Sequence, residues 1–170
     1  IALHLAPGEQ TRIGLVADVA RAVPGHALAL DGQLTLHAED GIGGVATSGW
    51  RGRSQSLGIA DSVTVLAATA AQADAAATII ANAVNLQHPG IVRLPASQLR
   101  DDSDLGDRLV TVQVPTLSST DRAAALRAGA ERARRACDDG LVAAVALVLQ
   151  GECIEVGALA LHHPVALALA

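Results

Sequence analysis

The sequence has almost no large side chains with which to fill a protein core. Phe, Tyr and Met are absent from its 170 residues, and Trp50 is the only aromatic residue. Apolar residues still make up 51% of the chain, which argues against disorder. The core must therefore be built from Ala, Val, Leu and Ile, and we expect alanine-rich helix faces to pack close to a sheet. The length fits one domain with a sizeable core.

The charge and the apolar runs argue against two classes of partner. The formal net charge is −5, and the twelve basic residues, all arginine, form no basic face with aromatic rings for stacking bases. We therefore expect no nucleic-acid partner. The apolar run Leu141 to Leu149 is too short to cross a bilayer, and the run at 156–170 is interrupted by His162-His163-Pro164. We therefore expect no membrane partner.

The sequence begins within a segment that has the pattern of a strand. Ile1 opens directly into a strand-like segment, without an initiator methionine or a visible signal peptide. We expect the chain to be the later part of a longer protein, and we expect a cytoplasmic location.

Cys137 and Cys153 form no CxxC pair and are predicted to be small buried thiols rather than disulfide partners or metal ligands.

Apolar periodicity and turn residues predict an α+β domain over residues 1–160, with a mixed or antiparallel sheet and an apolar tail at 161–170. Two principal helices are predicted, one from about Ala70 to Val84 and one capped by Ser118 or Ser119 and ending near Cys137. An irregular acidic stretch is expected at 95–107. The predicted strands, many joined by short turns such as Asp31-Gly32, are 1–5, 12–16, 28–30, 34–36, 45–48, 62–66, 109–114, 141–149 and 153–159.

Three short polar side chains follow one face of the first predicted helix. Asp74, Thr78 and Asn82 are spaced four residues apart, and the rest of the helix is nearly all Ala, Ile and Val. An ordinary solvent face would carry long charged side chains. The oxygen atoms of Asp74 and Thr78 lie one turn apart and suit Mg²⁺, which retains waters and phosphate as further ligands. A plain exposed polar face is the alternative.

The loop that follows the predicted strand 45–48 has the composition of an anion site. Thr47, Ser48 and Gly49 end the strand, and the backbone there could approach an anion closely. Arg51 and Arg53 could then supply bidentate contacts to a phosphate. The segment contains neither the GxxxxGK(S/T) nor the GxSxG pattern. An ordinary strand-to-loop turn is the alternative.

Two other charged segments are predicted to be solvated surface. The acidic run at 101–107 fails the EF-hand pattern, because a register that starts at Asp102 places Gln113 where the closing glutamate belongs. On the second helix, Glu131 is four residues from both Arg127 and Arg135, which is the spacing of surface ion pairs.

The segments GGVATSG, SVTV and ADAAAT, in this order, resemble the ApbE-type FAD:protein FMN transferases. The resemblance is strongest to a short, poorly characterised ApbE-like subgroup, to which GVATSGWRGRSQSLGIADSVTVLA and DSDLGDRLVTV are both similar. It extends from Ile1 to about Leu159. The ordered set of segments is much more specific than any one of them.

This resemblance implies an α+β domain that binds FAD and Mg²⁺. Members of the family cleave the FAD pyrophosphate, transfer FMN to a threonine of an acceptor protein and release AMP. Carried over by motif, Asp74 and Thr78 would be the Mg²⁺ ligands. Thr47, Ser48 and Gly49 would line the flavin nucleotide site. Arg51 and Arg53 are inferred as phosphate contacts from their residue type alone.

The chain departs from the family pattern at one segment inside the site. The HxxDPxTG segment expected between ATSG and SVTV is absent, and residues 50–61 alone join the two motifs. The family's Asn-x-Gly-Gly flavin segment is expected before Ile1. Two functions therefore stay open: an FMN transferase, or a module that binds FAD or another Mg²⁺-nucleotide without catalysis. A structural remnant without flavin binding is a third.

Overall fold

The computed structural model describes residues 1–15, 32–52 and 55–158. Its elements in chain order are β1 (Gln10–Leu15), β2 (Gly32–His37), a 3-10 turn (Ala38–Asp40), β3 (Gly44–Ser48), β4 (Ser62–Ala67), α1 (Ala70–Ala83), β5 (Val92–Pro95), α2 (Ala96–Leu99), β6 (Leu109–Gln113), α3 (Ser119–Asp138), β7 (Ala144–Leu149) and β8 (Glu152–Gly157).

The strands in this part of the chain form one four-stranded sheet and two strand pairs, all antiparallel. The sheet has the order β3-β4-β7-β8, and the pairs are β1 with β2 and β5 with β6. Two principal helices, α1 and α3, pack on the sheet and on each other. The predicted α+β fold class is confirmed.

The two faces of the sheet carry different layers. Val63 and Val65 of β4 point into the larger core, which lies between the sheet and the helices α1 and α3. Leu66, one residue further along, points to the opposite face and packs with Leu34 and Leu36 of β2. This alternation follows from the two-residue period of a strand, and it fixes which side of β3 faces α1.

Small residues let helix α1 approach the sheet closely, as the composition predicts. Its buried residues are Ala73, Ala77, Ile80 and Ala81. A Cβ added at Gly44 of β3 would lie 2.3 Å from the backbone nitrogen of Ala70, so the start of the helix touches the start of the strand. In α3, a Cβ at Gly129 would lie 2.3 Å from Cγ2 of Val84. Glycine and alanine therefore allow the helices to pack so close to the sheet and to each other that large side chains are not needed to fill the space between them.

The helix boundaries agree with the sequence predictions. The Thr69 hydroxyl accepts a hydrogen bond from the backbone N–H of Gln72 at the start of α1. At the start of α3, the Ser118 hydroxyl accepts from the backbone N–H of Asp121. Both are N-caps, which satisfy amide groups that the first helical turn leaves unpaired.

Three sequence predictions are wrong. Residues 95–107 are not wholly irregular, because β5 ends at Pro95 and the short helix α2 follows it. Residues 1–5 form no strand, only a bridge from Ala2 to Gly44. Cys153 is exposed and Cys137 half-buried, both as free thiols. Cys153 is exposed because it lies on β8, at the end of the strand order, on the face opposite the helices.

Some predicted features lie outside the described residues. They are the strand at 28–30, Asp31 of its turn, and the tail at 161–170. The acidic residues at 101–107 are exposed, as predicted. The charged residues of α3 that were predicted to lie on its surface are exposed as well: Arg127, Glu131, Arg132, Arg134 and Arg135. None of the helices in the described ranges combines the length and the hydropathy needed to cross a membrane.

Candidate functional site

Helix α1 presents a polar flank, which we define as Asp74, Thr78 and Asn82. Asp74 follows buried Ala73 and Thr78 follows buried Ala77, so each lies about 100° around the helix from the core. Asp74 and Thr78 are exposed. Within the described part of the chain, no hydrogen bond or ion pair engages the Asp74 carboxylate. The carboxylate is therefore available to a ligand.

The polar flank is turned away from α3. Gln72 and Ile79 of α1 line a groove of about 240 Å³ whose other wall includes Arg132 of α3, so they occupy the opposite flank. Helix α1 packs over β3 and β4, and α3 packs over β7 and β8. The polar flank therefore overhangs the β3 end of the strand order.

Distances along the elements place the polar flank beside the end of β3. Helix α1 follows β4 after a short turn and packs back on the sheet, so it runs in the direction of β3. From Gly44 to Ser48 the strand rises about 13 Å, and from Ala70 to Thr78 the helix rises about 12 Å. Because Gly44 touches Ala70, Thr78 lies level with Ser48. The two hydroxyls predicted to share a site therefore lie at the same end of the fold.

The side chains of Thr47 and Ser48 lie on opposite faces of the sheet. Ser48 pairs with Val63, whose side chain lies under the helices, so Ser48 is on the α1 side. Thr47 pairs with Thr64, and their hydroxyls are hydrogen-bonded at 2.8 Å on the other face. Ser48 therefore lies on the face of the sheet that α1 covers, and the Thr47 hydroxyl lies on the opposite face.

The backbone of Thr47 has a different direction from its side chain. Val45 exchanges two hydrogen bonds with Ile1 across the outer edge of β3, at 2.7 and 3.0 Å. Alternate residues of a strand direct their N–H and C=O groups to the same edge. The backbone groups of Thr47 therefore also face the outer edge of β3, on the side that the polar flank overhangs.

A tight turn ends β3. The Gly52 N–H donates to the Gly49 carbonyl at 3.2 Å, and the Trp50 N–H donates to the Ala60 carbonyl at 3.0 Å. A Cβ at Gly49 would lie 2.3 Å from the Asp61 carbonyl oxygen, so this position has no room for a side chain. Because the amides of Trp50 and Gly52 are already bonded, an anion at this turn would be bound mainly by side chains.

Asp61 holds the turn in place. Its Oδ1 accepts from Nε of Arg51 at 2.9 Å and from Nε1 of Trp50 at 3.2 Å. The Arg51 guanidinium lies 4.7 Å from the centre of the Trp50 ring. The predicted phosphate contact Arg51 is thus fixed at the end of β3. Arg53, the second predicted contact, lies outside the described residues.

The segment at 55–58 leads from the turn back to α1. Asn82, the third member of the polar flank, accepts hydrogen bonds at Oδ1 from the Ser56 hydroxyl at 3.1 Å and from the Leu57 N–H at 2.9 Å. A Cβ at Gly58 would lie 2.0 Å from the Ala81 carbonyl oxygen. Asn82 therefore has a structural role, and Asp74 and Thr78 are the members of the flank that remain exposed.

The donor set on the polar flank fits a small hard cation. Asp74 and Thr78 offer a carboxylate and a hydroxyl one helical turn apart, and both are exposed. Mg²⁺ prefers oxygen ligands and commonly takes only one or two carboxylates from the protein, with waters and phosphate completing its shell. In the described ranges there is no group of three or more His, Cys, Asp or Glu that could form an all-protein metal site. The geometry therefore suits a metal that arrives with a phosphate.

Asp61 is the functional candidate that the sequence patterns miss. It stands alone before β4, in no recognised motif, and its partners include the backbone N–H of Gln150, 89 residues away. A lone acid at the start of a buried strand is the only signal in the sequence. It does not indicate which donors the acid meets.

The resolved pKa shifts belong to the two cysteines, away from this site. Although Cys153 is an exposed residue, the surrounding protein partly desolvates its thiol, and this desolvation, reinforced by the Glu155 carboxylate, raises the pKa of Cys153 to about 11. Burial, reinforced by Asp138, raises the pKa of Cys137 as well. Both thiols are therefore protonated at neutral pH and are poor nucleophiles.

Comparison with known proteins identifies a family. No curated protein and no solved structure matches the chain. A family described as "AbpE bacteria" matches residues 1–156, which include every element described above except the last residue of β8. The description names neither a ligand nor a reaction. The chain belongs to the AbpE bacteria family.

Proposed function

We propose that this protein binds FAD with Mg²⁺ at the polar flank of α1 and the end of β3, and that it acts as an FAD:protein FMN transferase. One observation carries the proposal. Asp74 and Thr78 are exposed oxygen donors one turn apart, level with Ser48, where a loop carrying a fixed arginine begins. The resemblance of the ATSG, SVTV and AD-x-x-x-T segments to flavin transferases supports FAD as the ligand.

Each residue of the site has a stated task in this proposal. Asp74 and Thr78 would hold the cation, which would neutralise pyrophosphate charge when bound. The Ser48 hydroxyl and the edge-facing backbone of Thr47 would orient a phosphate. Arg51 would contact a phosphate through its guanidinium.

The transfer step forms and breaks one bond at the same phosphorus atom. A threonine hydroxyl of the acceptor protein attacks the flavin-side phosphorus of FAD and forms a phosphoester bond. The bond from this phosphorus to the AMP oxygen breaks, AMP leaves, and the hydroxyl proton is lost to solvent or a base. The acceptor must reach the site from outside. The exposed positions of Asp74, Thr78 and Arg51 are compatible with that approach.

A binding module without transfer is the second candidate. Residues 50–61, which join β3 and β4, contain no histidine, and Asp61 is their only acid. The Asp61 carboxylate already accepts three hydrogen bonds. By composition, this loop therefore has no histidine and no second carboxylate that could take the proton of an acceptor hydroxyl, and that favours binding alone.

The variant Asp74→Asn tests the metal assignment. We expect wild-type protein to bind FAD only with Mg²⁺ and the variant to lose most of this Mg²⁺-dependent affinity. Its free energy of unfolding should change by less than about 0.5 kcal/mol, because Asp74 is an exposed residue. Calorimetric titration of FAD with and without Mg²⁺ measures the first effect, and urea denaturation the second.

Glu131→Gln is the matched control, since it also removes one carboxylate charge from an exposed helix position, but on α3. It should bind FAD as the wild type does. An unchanged Mg²⁺ requirement in Asp74→Asn would overturn the metal assignment.

Chromatography of AMP separates the two candidate functions. The transferase predicts AMP release in step with flavin becoming covalently attached to an acceptor peptide that contains threonine. Tight Mg²⁺-dependent binding without AMP would leave the binding module. Asp74→Asn should abolish AMP release, because the charge of the pyrophosphate would no longer be neutralised.

A further inference from the structure

We propose that Asp61 is a positioning residue of this site, which aligns Arg51 for the phosphates of the ligand. The inference rests on the proposed function, because it assigns Asp61 a role toward the same flavin nucleotide. Affinity for the phosphates of the ligand would then depend on Asp61, although Asp61 does not contact the ligand.

The Asp61 carboxylate is largely shielded from solvent, and both of its oxygens accept hydrogen bonds. The side chain is 10% exposed. Oδ1 accepts from Arg51 and Trp50, and Oδ2 accepts from the backbone N–H of Gln150 at 2.5 Å. A carboxylate that is largely shielded from solvent and accepts three hydrogen bonds holds its donors in fixed positions.

Asp61 and Trp50 together hold the Arg51 side chain. Asp61 binds Nε, and the guanidinium carbon lies 4.7 Å from the centre of the Trp50 ring. A guanidinium fixed at Nε and placed over a ring loses much of its rotamer freedom before any ligand arrives. Ordering it on binding then costs less. With 37% of its side chain exposed, Arg51 is still accessible from solvent.

Gln150, whose backbone N–H donates to Asp61, is itself held in place by further hydrogen bonds. Gln150 has φ of 47° and is the only non-glycine residue among those described with a positive φ. Its side chain accepts from the Leu117 N–H at 2.9 Å and donates to the Pro115 carbonyl at 2.6 Å. Asp61 therefore joins the turn after β3 to the β7–β8 turn, and through Gln150 to the segment before α3. The position of Arg51 is therefore held by hydrogen bonds that connect three segments: the turn after β3, the β7–β8 turn and the segment before α3.

The variant Asp61→Asn tests the proposal with the smallest change of shape. An amide has one oxygen, so it can accept from Gln150 or from the Arg51 and Trp50 pair, but not from both sides as the carboxylate does. In the absence of ligand, acrylamide quenching of Trp50 reports on the turn directly, since Trp50 is the only aromatic residue. We expect Trp50 to be quenched more readily in Asp61→Asn than in the wild type.

Ligand binding then separates positioning from general stability. Asp61→Asn should weaken Mg²⁺-dependent FAD binding about tenfold, as expected for a misaligned charge-assisted contact. Binding of riboflavin, which carries no phosphate, should not change. A merely structural role would weaken both ligands together.

The double variant Asp61→Asn/Arg51→Met completes the cycle. If Asp61 acts through Arg51, the double variant should bind FAD no more weakly than Arg51→Met alone. If the losses of FAD affinity from Asp61→Asn and Arg51→Met add up in the double variant, the two residues act independently and the proposal is overturned. Unchanged Trp50 quenching together with unchanged FAD affinity in Asp61→Asn would also overturn it. If wild-type protein binds no FAD, the proposed function fails. In that case unchanged Trp50 quenching in Asp61→Asn would also overturn the positioning role. Increased quenching would still support the claim that Asp61 holds the turn that carries Trp50 and Arg51.

Discussion

Replacing Gly58 with alanine should be unusually costly, because the new methyl group meets only backbone. It would lie 2.0 Å from the Ala81 carbonyl oxygen and 2.9 Å from the Ala81 carbonyl carbon and from Cα of Asn82. Ordinary contacts of this kind are about 3.5 Å. No side chain can rotate out of the way, so the segment at 55–58 must move away from α1 by about 1 Å or more.

The energetic cost has two parts. Overpacking of this kind typically destabilises by about 1–3 kcal/mol. The movement would also weaken the two hydrogen bonds that Asn82 accepts from Ser56 and Leu57, each contributing about 1 kcal/mol. We expect Gly58→Ala to lower the free energy of unfolding by about 2–5 kcal/mol in total.

Urea denaturation followed by Trp50 fluorescence measures this cost. Gly140→Ala is the matched control, because a Cβ there meets nothing within 4 Å and the residue is strained only by its φ of 70°. That strain should cost about 1–2 kcal/mol. If Gly58→Ala were no more destabilising than Gly140→Ala, the close contact between the 55–58 segment and α1 would be refuted.

Three further predictions concern parts of the chain away from the site. Ser118→Ala should destabilise by about 1 kcal/mol through loss of the α3 N-cap, measured by thermal or urea unfolding, and Ser118→Asp should restore most of it. Alkylation of Cys153 by iodoacetamide should accelerate with pH up to about 11, and Glu155→Gln should accelerate it at pH 9 by lowering the pKa of the thiol. Because that pKa is raised from 9.0 on folding, the unfolded chain loses the proton first. Stability should therefore fall as pH rises from 9.0 to about 11, and Cys153→Ser should reduce the fall; a slope unchanged by this variant would contradict it.

Elements with strong local patterns could be predicted from the sequence. Helix α1 has an apolar repeat, and α3 has Ser118 as its cap. The strands β3, β4, β7 and β8 are short apolar or alternating runs between turn residues. Each of these signals lies within a dozen residues, so it does not depend on the rest of the fold.

The hairpin of β5 and β6 shows where such patterns fail. Val92–Pro95 has only four residues and ends in proline, which usually indicates a loop, and the pairing partner Leu109–Gln113 is separated from it by α2. Cys153 shows a second limit. Cysteine is commonly buried, but a residue at the end of the strand order can face solvent.

The candidate site shows a third limit, since its residues are local but their arrangement is not. The spacing of Asp74 and Thr78 predicts a shared helix face, and the structure has that face exposed. The alternation of β3 places Thr47 and Ser48 on opposite faces, but only the packing of α1 decides which face belongs to the site. The partners of Asp61 come from two other segments, one of them 89 residues away, and no local pattern encodes them.

The most direct test of Mg²⁺-dependent flavin binding is a titration of wild-type protein with FAD, once with Mg²⁺ and once with excess chelator. Quenching of Trp50 provides the signal, since Trp50 lies in the turn that ends β3. The proposed function predicts saturable quenching with Mg²⁺ and much weaker binding with chelator. Equal affinity in both conditions, or no saturable binding in either, would contradict it.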